Sequence, residues 1–374
     1  MLKYNLYITD TNYCSPLVNS QAEGILCLTS YKDNLIINNL GKNIELSKLN
    51  INNHQCKLKK NAIYDFSFFS SLDEESQFDM DMHALLIKNN YLFALNHYGI
   101  IRIFNLKQNL QPEYLLRFAS DTEHTSIINR QLLTSSSSIY GISDSPTTGL
   151  IVSNPLITQT YIEKDFMNLN EMVANIYQLD YFTILNNLGK INIIANNPQL
   201  NLLALANDTT FLVYAYNEKP FFKLENLVCS FKINYLVKNI CFIDNHLLIS
   251  GYESKQSEKS YDDIFKYNQE LTSHIQLYSL TGENIWSRCE NSTIAWGFGG
   301  KPITYDQKKQ VIYLVLRNST LKMLDFRNGQ VLDLNSPATL TEQNFGTANL
   351  NLHQNHLICT FNRANYRLFH YNFD

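Results

Sequence analysis

Short apolar runs separated by tight turns recur along this 374-residue chain, and Ile191–Pro220 shows the unit most clearly. Within it, Ile191–Ala195, Leu202–Ala206 and Thr210–Tyr216 are apolar runs of five to seven residues. Asn, Asp, Thr and Pro separate them and favour turns, because Pro cannot donate to a strand ladder and Asn and Asp side chains bond the nearby backbone. The unit therefore predicts an antiparallel meander of three strands.

The second strand of this unit recurs seven times, at intervals of about 45–65 residues. The predicted second strands are Leu35–Asn38, Tyr91–Leu95, Gly149–Ser153, Leu202–Ala206, His246–Gly251, Val311–Arg317 and His356–Phe361. An asparagine follows six of them, namely Asn39, Asn96, Asn154, Asn207, Asn318 and Asn362. Asparagine is abundant, at 46 of 374 residues, but six occurrences at one phase exceed what we expect from abundance. We therefore expect Asn side chains to stabilise these corners.

Units of this size are typical of β-propeller blades, which have about 40–50 residues each. Seven blades keep the Asn corners in phase and use nearly the whole chain, so we predict one all-β, seven-bladed propeller domain over residues 1–374. Eight blades are the alternative, since Met172–Asn186 offers two further strands and the sequence NNLGK occurs twice. The alternating segment Leu2–Thr9 is predicted to join the last blade as its fourth strand, which closes the ring and removes open sheet edges.

The third strands share an order of residue types: aliphatic, large, small or polar, then apolar. The aligned segments are Ile103–Leu106, Val213–Tyr216, Leu277–Leu280, Met323–Phe326 and Leu368–Tyr371. This form resembles the strand end that carries the Trp-Asp dipeptide of WD40 repeats, with Phe, Tyr or Leu in place of Trp, and only Asp325 keeps the acid. The Gly-His dipeptide of those repeats is missing. The corners Thr281–Trp286 and Asn328–Val331 also resemble those of quinoprotein-like propellers. The resemblance to WD40-like propellers implies a rigid body that recruits protein partners.

Charge and apolar patterning exclude several classes of protein. The net charge is −4 and the pI is about 6.1, with the densest basic cluster at Lys57, Lys59 and Lys60, whereas nucleic-acid-binding domains are often strongly basic. Nucleic acid is therefore an unlikely partner. The sequence has no apolar run of membrane-spanning length, so no membrane insertion is expected, and the N-terminus lacks a signal-peptide core. Seven cysteines without a CxxC pair indicate a reducing compartment, and we expect an intracellular protein, cytoplasmic or nuclear.

Two segments are candidate partner-binding features. Residues 252–273 form an insertion in the fifth blade, with a short helical pattern that must dock on something to be stable. Its docking site is either its own propeller or a partner. The acidic segment Ser71–Met82 is either a solvated loop or a docking loop for a basic partner. The candidate contact residues are Tyr261, Ile264, Phe265 and Leu271 in the insertion, and Phe78 and Asp79 in the acidic segment.

The sequence carries no motif for catalysis, a cofactor or a metal. The nine histidines are dispersed, and the closest His/Cys pair, His54 and Cys56, supplies two ligands where a zinc site needs three or four. The glycines of Trp296–Gly300 lack the Lys-Ser/Thr and the helix of a phosphate loop. We therefore expect no catalytic residue, no cofactor and no metal site in linear motifs.

The function that best fits these observations is a non-enzymatic scaffold for protein–protein interaction, a subunit of a larger intracellular complex. The alternative is an enzyme or a binder of a small molecule or sugar in the central channel of a quinoprotein-like propeller. That alternative requires polar or charged residues from several blades to converge on the channel, which linear motifs do not reveal.

Overall fold

The computed structural model describes residues 11–12, 25–39, 43–52, 55–65, 82–88, 90–96, 100–117, 133–134, 139–142, 150–153, 176–178, 193–207, 209–217, 223–253, 272–292, 294, 301–318, 320–332, 347–353, 356–362 and 367–372. In these ranges the regular elements are antiparallel β-strands, apart from one 3₁₀ helix at Leu106–Gln108. The chain divides into two compact units, which are described separately.

The first unit comprises Met1–Met80, Gln256–Ser273 and Cys289–Asp374, and its described part holds three sheets. Sheet 1 consists of β2 (Ile25–Tyr31), β3 (Asn34–Asn39), β4 (Asn43–Asn52) and β5 (Gln55–Asp65). Sheet 6 consists of β22 (Ile303–Asp306), β23 (Val311–Val315) and β24 (Leu321–Asp325). Sheet 7 consists of β25 (Thr347–His353), β26 (His356–Asn362), β27 (Arg367–Asn372) and β1 (Thr11–Asn12).

The second unit comprises Asp81–Lys255 and His274–Arg288 and holds four four-stranded sheets in its described part. Sheet 2 consists of β6 (Met82–Lys88), β7 (Tyr91–Asn96), β8 (Ile100–Asn105) and β9 (Gln111–Arg117). Sheet 3 consists of β10 (Leu133–Thr134), β11 (Ile139–Ile142), β12 (Leu150–Ser153) and β13 (Ile176–Gln178). Sheet 4 consists of β14 (Ile193–Asn197), β15 (Leu202–Ala206), β16 (Thr210–Asn217) and β17 (Lys223–Lys232). Sheet 5 consists of β18 (Leu236–Ile243), β19 (His246–Tyr252), β20 (Ser273–Ser279) and β21 (Asn284–Glu290). Three residues at the strand ends, Ser273, Cys289 and Glu290, belong to the first unit.

Six of the seven predicted second strands are confirmed as the second strand of their sheet, and Leu202–Ala206 agrees residue for residue with β15. In sheet 3 the prediction is wrong, because Gly149–Ser153 contains β12, the third strand, and the second strand is β11. These strands form the centre of the sheets: all five residues of β15 and all five of β23 are buried. A continuous apolar run is expected in such a strand when other elements pack on both faces of its sheet.

The expected asparagine corners are confirmed at two positions. The Asn207 side chain accepts hydrogen bonds from the backbone amides of Thr209 and Thr210, at 2.9 and 2.7 Å. The Asn318 side chain accepts one from the Thr320 amide at 3.2 Å. Asn154 lies outside the described residues. The side chain thus replaces a backbone acceptor in the turn, as the sequence predicts.

The predicted three-strand unit is incomplete, because a fourth strand follows it. In the unit Ile191–Pro220 that strand is β17, which begins three residues after Pro220 and pairs with β16. An outer strand has a neighbour on one side only, so most of its residues stay in contact with solvent and the apolar pattern is weak. β5 and β9 occupy the same outer position in sheets 1 and 2.

The alignment predicted for the third strand of the last unit, Leu368–Tyr371, is wrong by two residues. The first residue of the second strand pairs with the small or polar position of the third strand: Tyr91 with Asn105, Leu202 with Ala215 and Val311 with Asp325. In sheet 7, His356 pairs with Asn372, so the small or polar position is Asn372 and not His370. A shift of two residues keeps the same faces of a strand, which is why the apolar pattern alone did not reveal it.

Adjacent sheets within each unit contact through their first strands. In the first unit, the amide of Leu350 on β25 donates to the carbonyl of Lys301 at 2.7 Å, just before β22. In the same unit, the Ser30 hydroxyl on β2 donates to the side-chain oxygen of Asn351 at 2.6 Å. In the second unit, β14 packs against β18, around a core that includes Ile193, Val237 and Ile249.

The predictions of ring closure and of the number of blades are tested only in part by the described residues. Thr11 and Asn12 pair with Leu368 and Arg367 of β27, whereas the predicted strand Leu2–Thr9 lies outside the described residues. Within Met172–Asn186, the source of the eight-blade alternative, Ile176–Gln178 is β13 and pairs with β12 of sheet 3. The rest of that segment lies outside the described residues, so the number of blades stays a prediction.

Candidate interaction surface

The outer strand of sheet 4 presents a run of four consecutive exposed residues, Glu225–Val228, which we call the β17 ridge. Leu227 is 49% exposed and Val228 is 43% exposed. Tyr214 of β16 pairs with Leu227 of β17, and the register between the two strands shifts on both sides of this pair. Such bulges interrupt the alternation of a strand, so adjacent side chains can both face solvent. The ridge therefore offers two neighbouring aliphatic side chains.

A stack of aromatic rings holds the end of β17 that follows the ridge. The Phe231 ring lies between Phe211 and Tyr278, with centroid separations of 5.2 and 4.7 Å. A Cβ at Gly282, in the corner before β21, would lie 3.5 Å from the Phe231 ring. Stacked aromatic pairs contribute about 0.5–1.5 kcal/mol each beyond their buried area. The ridge is thus presented on a packed support.

A network of side-chain hydrogen bonds on sheet 5 holds Tyr278, which belongs to the same aromatic stack. The hydroxyls of Tyr235 and Tyr278 both donate to the Gln276 side-chain oxygen at 2.8 Å. The Gln276 amide donates to the Ser287 hydroxyl at 3.1 Å, and that hydroxyl donates to Asn284 at 3.0 Å. Because the buried tyrosine hydroxyls have partners, their rings pack in the core without an unsatisfied polar group.

The predicted corner Thr281–Trp286 is a β-hairpin turn. Gly282 has φ of +84°, a conformation that glycine adopts at no steric cost, and its amide donates to the Ser279 carbonyl at 3.1 Å. The Ser279 hydroxyl accepts from the amides of Thr281 and Glu283, at 3.3 and 3.1 Å. Trp286 is buried. The corner of sheet 6 has the same design, with Gly329 at φ of +68° and its amide on the Asp325 carbonyl.

Asp325, which keeps the acid of the WD40-like pattern, pairs with Arg327 in that corner. The Arg327 guanidinium donates from Nε and Nη2 to the two carboxylate oxygens, at 3.0 and 2.8 Å. The Arg327 hydrogen bonds hold the pKa of Asp325 below its usual value. Because the guanidinium is exposed, the pair orders the turn more than it stabilises the fold.

Large apolar side chains that are exposed within the described ranges lie mainly at outer positions of the sheets. Besides the ridge residues, these are Ile63 on β5, Ile285 on β21 and Val331, which bridges to β24 from its outer side. Leu200, in the turn before β15, is the exception in the described ranges. The outer strands are therefore the candidate surface for partner contacts.

The predicted partner-binding residues lie outside the described part of the chain. Tyr261, Ile264, Phe265 and Leu271, together with Phe78 and Asp79, are all in this group, so those predictions stay untested. Sequence reasoning missed the β17 ridge. Its signal is the adjacent apolar pair of Leu227 and Val228, which breaks the alternation of a half-exposed strand between Asn226 and Cys229.

A histidine–carboxylate pair lies where the chain leaves sheet 5 for the insertion and returns to it. His274 Nε2 is 3.1 Å from Glu253 Oε1, and the His274 ring stacks on Tyr235 with a centroid separation of 4.8 Å. The pair joins the ends of adjacent strands β19 and β20. It is a cross-strand structural contact, and it does not test the alternative of a site in a central channel.

Two searches of the described residues bear on metals and membranes. No group of three His, Cys, Asp or Glu side chains there is placed to hold a metal ion. Among these same ranges, no helix has the length and hydropathy needed to cross a bilayer.

The fold is identified by its similarity to solved structures. No family model and no curated protein matches the chain. The C-terminal WD40 domain of Sif2 superimposes with a TM-score of 0.59 at 11% identity, over 99% of both chains. The WD40 domain of Toxoplasma gondii coronin gives a TM-score of 0.53 at 10% identity, over 100% of this chain and 85% of coronin's. The computationally designed protein Ika8 gives 0.53 at 11% identity, over 98% of this chain and all of the designed one. The chain therefore has an all-β, WD40-like β-propeller fold.

Proposed function

We propose that this protein is a non-enzymatic scaffold that binds other proteins through the outer strands of its sheets. The β17 ridge carries the proposal, because it places Leu227 and Val228 in solvent on a strand held by the Phe231 stack. Apolar side chains on a rigid support lose little conformational entropy on binding, which favours affinity. The likeness to WD40 domains agrees with this role at the level of fold only.

We further propose that the seven sheets are seven blades of one propeller, residues 1–374, and that the protein is a stable subunit of an intracellular complex. The free thiols of Cys229 and Cys359 agree with a reducing compartment. Nucleic acid remains an unlikely partner, since the net charge is −4.

The test is native purification followed by size-exclusion chromatography and mass spectrometry of co-eluting chains. We expect partners at fixed stoichiometry with the wild-type protein, and their loss with the double variant Leu227→Ser/Val228→Ser. Leu200→Ser is the matched control, because Leu200 is similarly exposed, at 41%, but lies in a turn. We expect that control to keep the partners.

Two other results would redirect the proposal. Elution of the wild-type protein as a lone chain of 43.3 kDa would contradict a stable complex. Partners that survive the ridge variant but are lost with Ile264→Ser/Phe265→Ser would move the contact to the insertion.

A further inference from the structure

Sheet 1 contains a two-stranded ribbon that continues past its neighbouring strand. β3 begins at Asn34, which pairs with Lys48, whereas the pairing of β4 with β5 continues to Asn52 and Gln55. Leu49–Asn52 and Gln55–Leu58 therefore pair only with each other within the described part of sheet 1. We call these eight residues, together with the pair Lys48 and Lys59 at which they join the rest of sheet 1, the sheet 1 ribbon. At about 3.3 Å per residue, it extends roughly 13 Å past the end of β3.

The register sorts the ribbon into a polar and an apolar set of positions. Lys48 is opposite Lys59, Asn50 opposite Lys57, and Asn52 opposite Gln55, and these three pairs alternate along the strands. The intervening pairs are Leu49 with Leu58 and Ile51 with Cys56. Because side chains alternate between the faces of a sheet, the basic and amide positions share one face and the apolar positions share the other.

The root of the ribbon holds two positive charges directly opposite each other. Lys48 and Lys59 are both exposed, and neither forms an ion pair in the described part of the chain. Like charges at opposed positions of an antiparallel pair are unfavourable. Lys60 differs, because its ammonium lies 2.8 Å from the buried carboxylate of Glu45. A carboxylate supplied from outside sheet 1 would relieve the repulsion at the Lys48–Lys59 pair.

We propose that the polar face and the outer edge of the sheet 1 ribbon bind an extended, acidic peptide segment of a partner protein. β5 is the outermost strand of sheet 1, and no strand among the described residues pairs with its outer edge, which can therefore accept an additional strand. Acidic side chains at alternate positions of that strand would lie beside Lys57 and Lys59. The inference rests on the proposed scaffold role but uses a surface separate from the β17 ridge.

Edge protection explains only part of this arrangement. Lysines on an outermost strand discourage edge-to-edge aggregation, which accounts for Lys57 and Lys59 on β5. It does not account for Lys48, which lies on the inner strand β4 and pairs on both sides, with Asn34 and with Lys59. The opposed pair therefore indicates a bound anion. The net charge of −4 favours a short acidic peptide over a long polyanion.

The test uses fluorescence anisotropy with a labelled eight-residue peptide of alternating Glu and Val, titrated with the full chain at low salt. The key variant is Lys59→Glu, which replaces the like-charged pair by an opposite-charged one. We expect it to bind the peptide roughly tenfold more weakly, corresponding to one reversed contact. Its Tm should equal or exceed that of the wild-type protein, so lost binding cannot be attributed to unfolding. Lys107→Glu, at an exposed lysine in the 3₁₀ helix between β8 and β9, makes the same charge change and should bind as the wild type does.

Three results would overturn the inference: no binding of the Glu-Val peptide by the wild-type chain, equal weakening by Lys107→Glu, or Lys59-dependent binding of an eight-nucleotide single-stranded DNA in place of the peptide. The scaffold proposal is tested separately. Retention of co-purified partners in Lys59→Glu, with no peptide binding by the wild type, would remove the ribbon site and leave the β17 ridge in place. Leu227→Ser/Val228→Ser should bind the peptide normally.

Discussion

At the scale of single residues, the described hairpin of sheet 7 contains a buried histidine whose protonation opposes folding. His353 is 2% exposed and sits opposite His356 at the end of β25. Burial lowers the pKa of His353 below its usual value, and the smaller effect of Asp33 acts in the opposite direction. The neutral imidazole is therefore the form that the folded protein accommodates.

We predict that His353 makes the folded protein less stable in mild acid. Because its pKa is lower in the folded state, the unfolded state binds more protons once the pH falls below about 6.5, the ordinary value for histidine. The contribution of His353 to the free energy of unfolding is at its maximum above that pH. It declines as the pH falls towards the lowered pKa, by at most about 1.4 kcal/mol per pH unit. The measurement is the free energy of unfolding from pH 7.5 to 5.5.

The variant His353→Gln provides the comparison, because it removes the titrating group and keeps a polar side chain. We expect a flatter pH dependence in this variant, with the contribution of the other eight histidines common to both proteins. Identical slopes for the two proteins would show that His353 has the same pKa in the folded and unfolded states.

At the scale of elements, the outer strand β17 pairs with β16 and also packs against the core through the aromatic side chain of Phe231. Phe231 stacks on Phe211 of the same sheet and on Tyr278 of sheet 5, and the ridge ends three residues before it, at Val228. We predict that Phe231→Ala lowers the free energy of unfolding by roughly 2 kcal/mol, less than the loss of a fully buried aromatic, because Phe231 is only partly buried. Chemical denaturation measures this change.

The same variant tests whether the support matters for binding. We expect Phe231→Ala to weaken partner binding although Leu227 and Val228 are intact, because the strand that presents them loses its anchor. Phe231→Leu, which fills part of the space, should lie between the wild type and Phe231→Ala in both measurements. Full binding by a destabilised Phe231→Ala protein would mean that the ridge needs no ordered support.

The sequence predicted the elements in proportion to how much they are buried. The apolar runs LLALA and VIYLV predict β15 and β23 directly, because a buried central strand has an uninterrupted apolar sequence. β17 was missed because KLENLVCSFK is exposed at four consecutive positions around its bulges. The ridge follows from a register shift, and the opposed Lys48–Lys59 pair follows from the pairing of β4 with β5. Register is defined by which residues pair across adjacent strands, and a single sequence does not specify that pairing.

At the scale of the whole molecule, the short strand β1 near the start of the chain and the last strand, β27, lie in one sheet. Thr11 and Asn12 pair with Leu368 and Arg367, more than 350 residues later in the chain, at the outer edge of sheet 7. In a propeller, a pairing between the two chain ends joins the first and last parts of the repeat array. Its loss would leave β27 as an open edge and release the constraint on both ends.

We predict that removal of residues 1–12 lowers the Tm by about 1–3 °C, equivalent to about 1–2 kcal/mol for a chain of this size. Differential scanning calorimetry of two truncations separates the contributors. A loss already present on removal of residues 1–10 would assign the closure to the alternating segment Leu2–Thr9. A loss that appears only on removal of residues 1–12 would assign it to Thr11 and Asn12, the pair that meets β27. If both truncated proteins melted like the full chain, the ends would not stabilise the molecule, and the proposed closure by the N-terminal strand would be wrong.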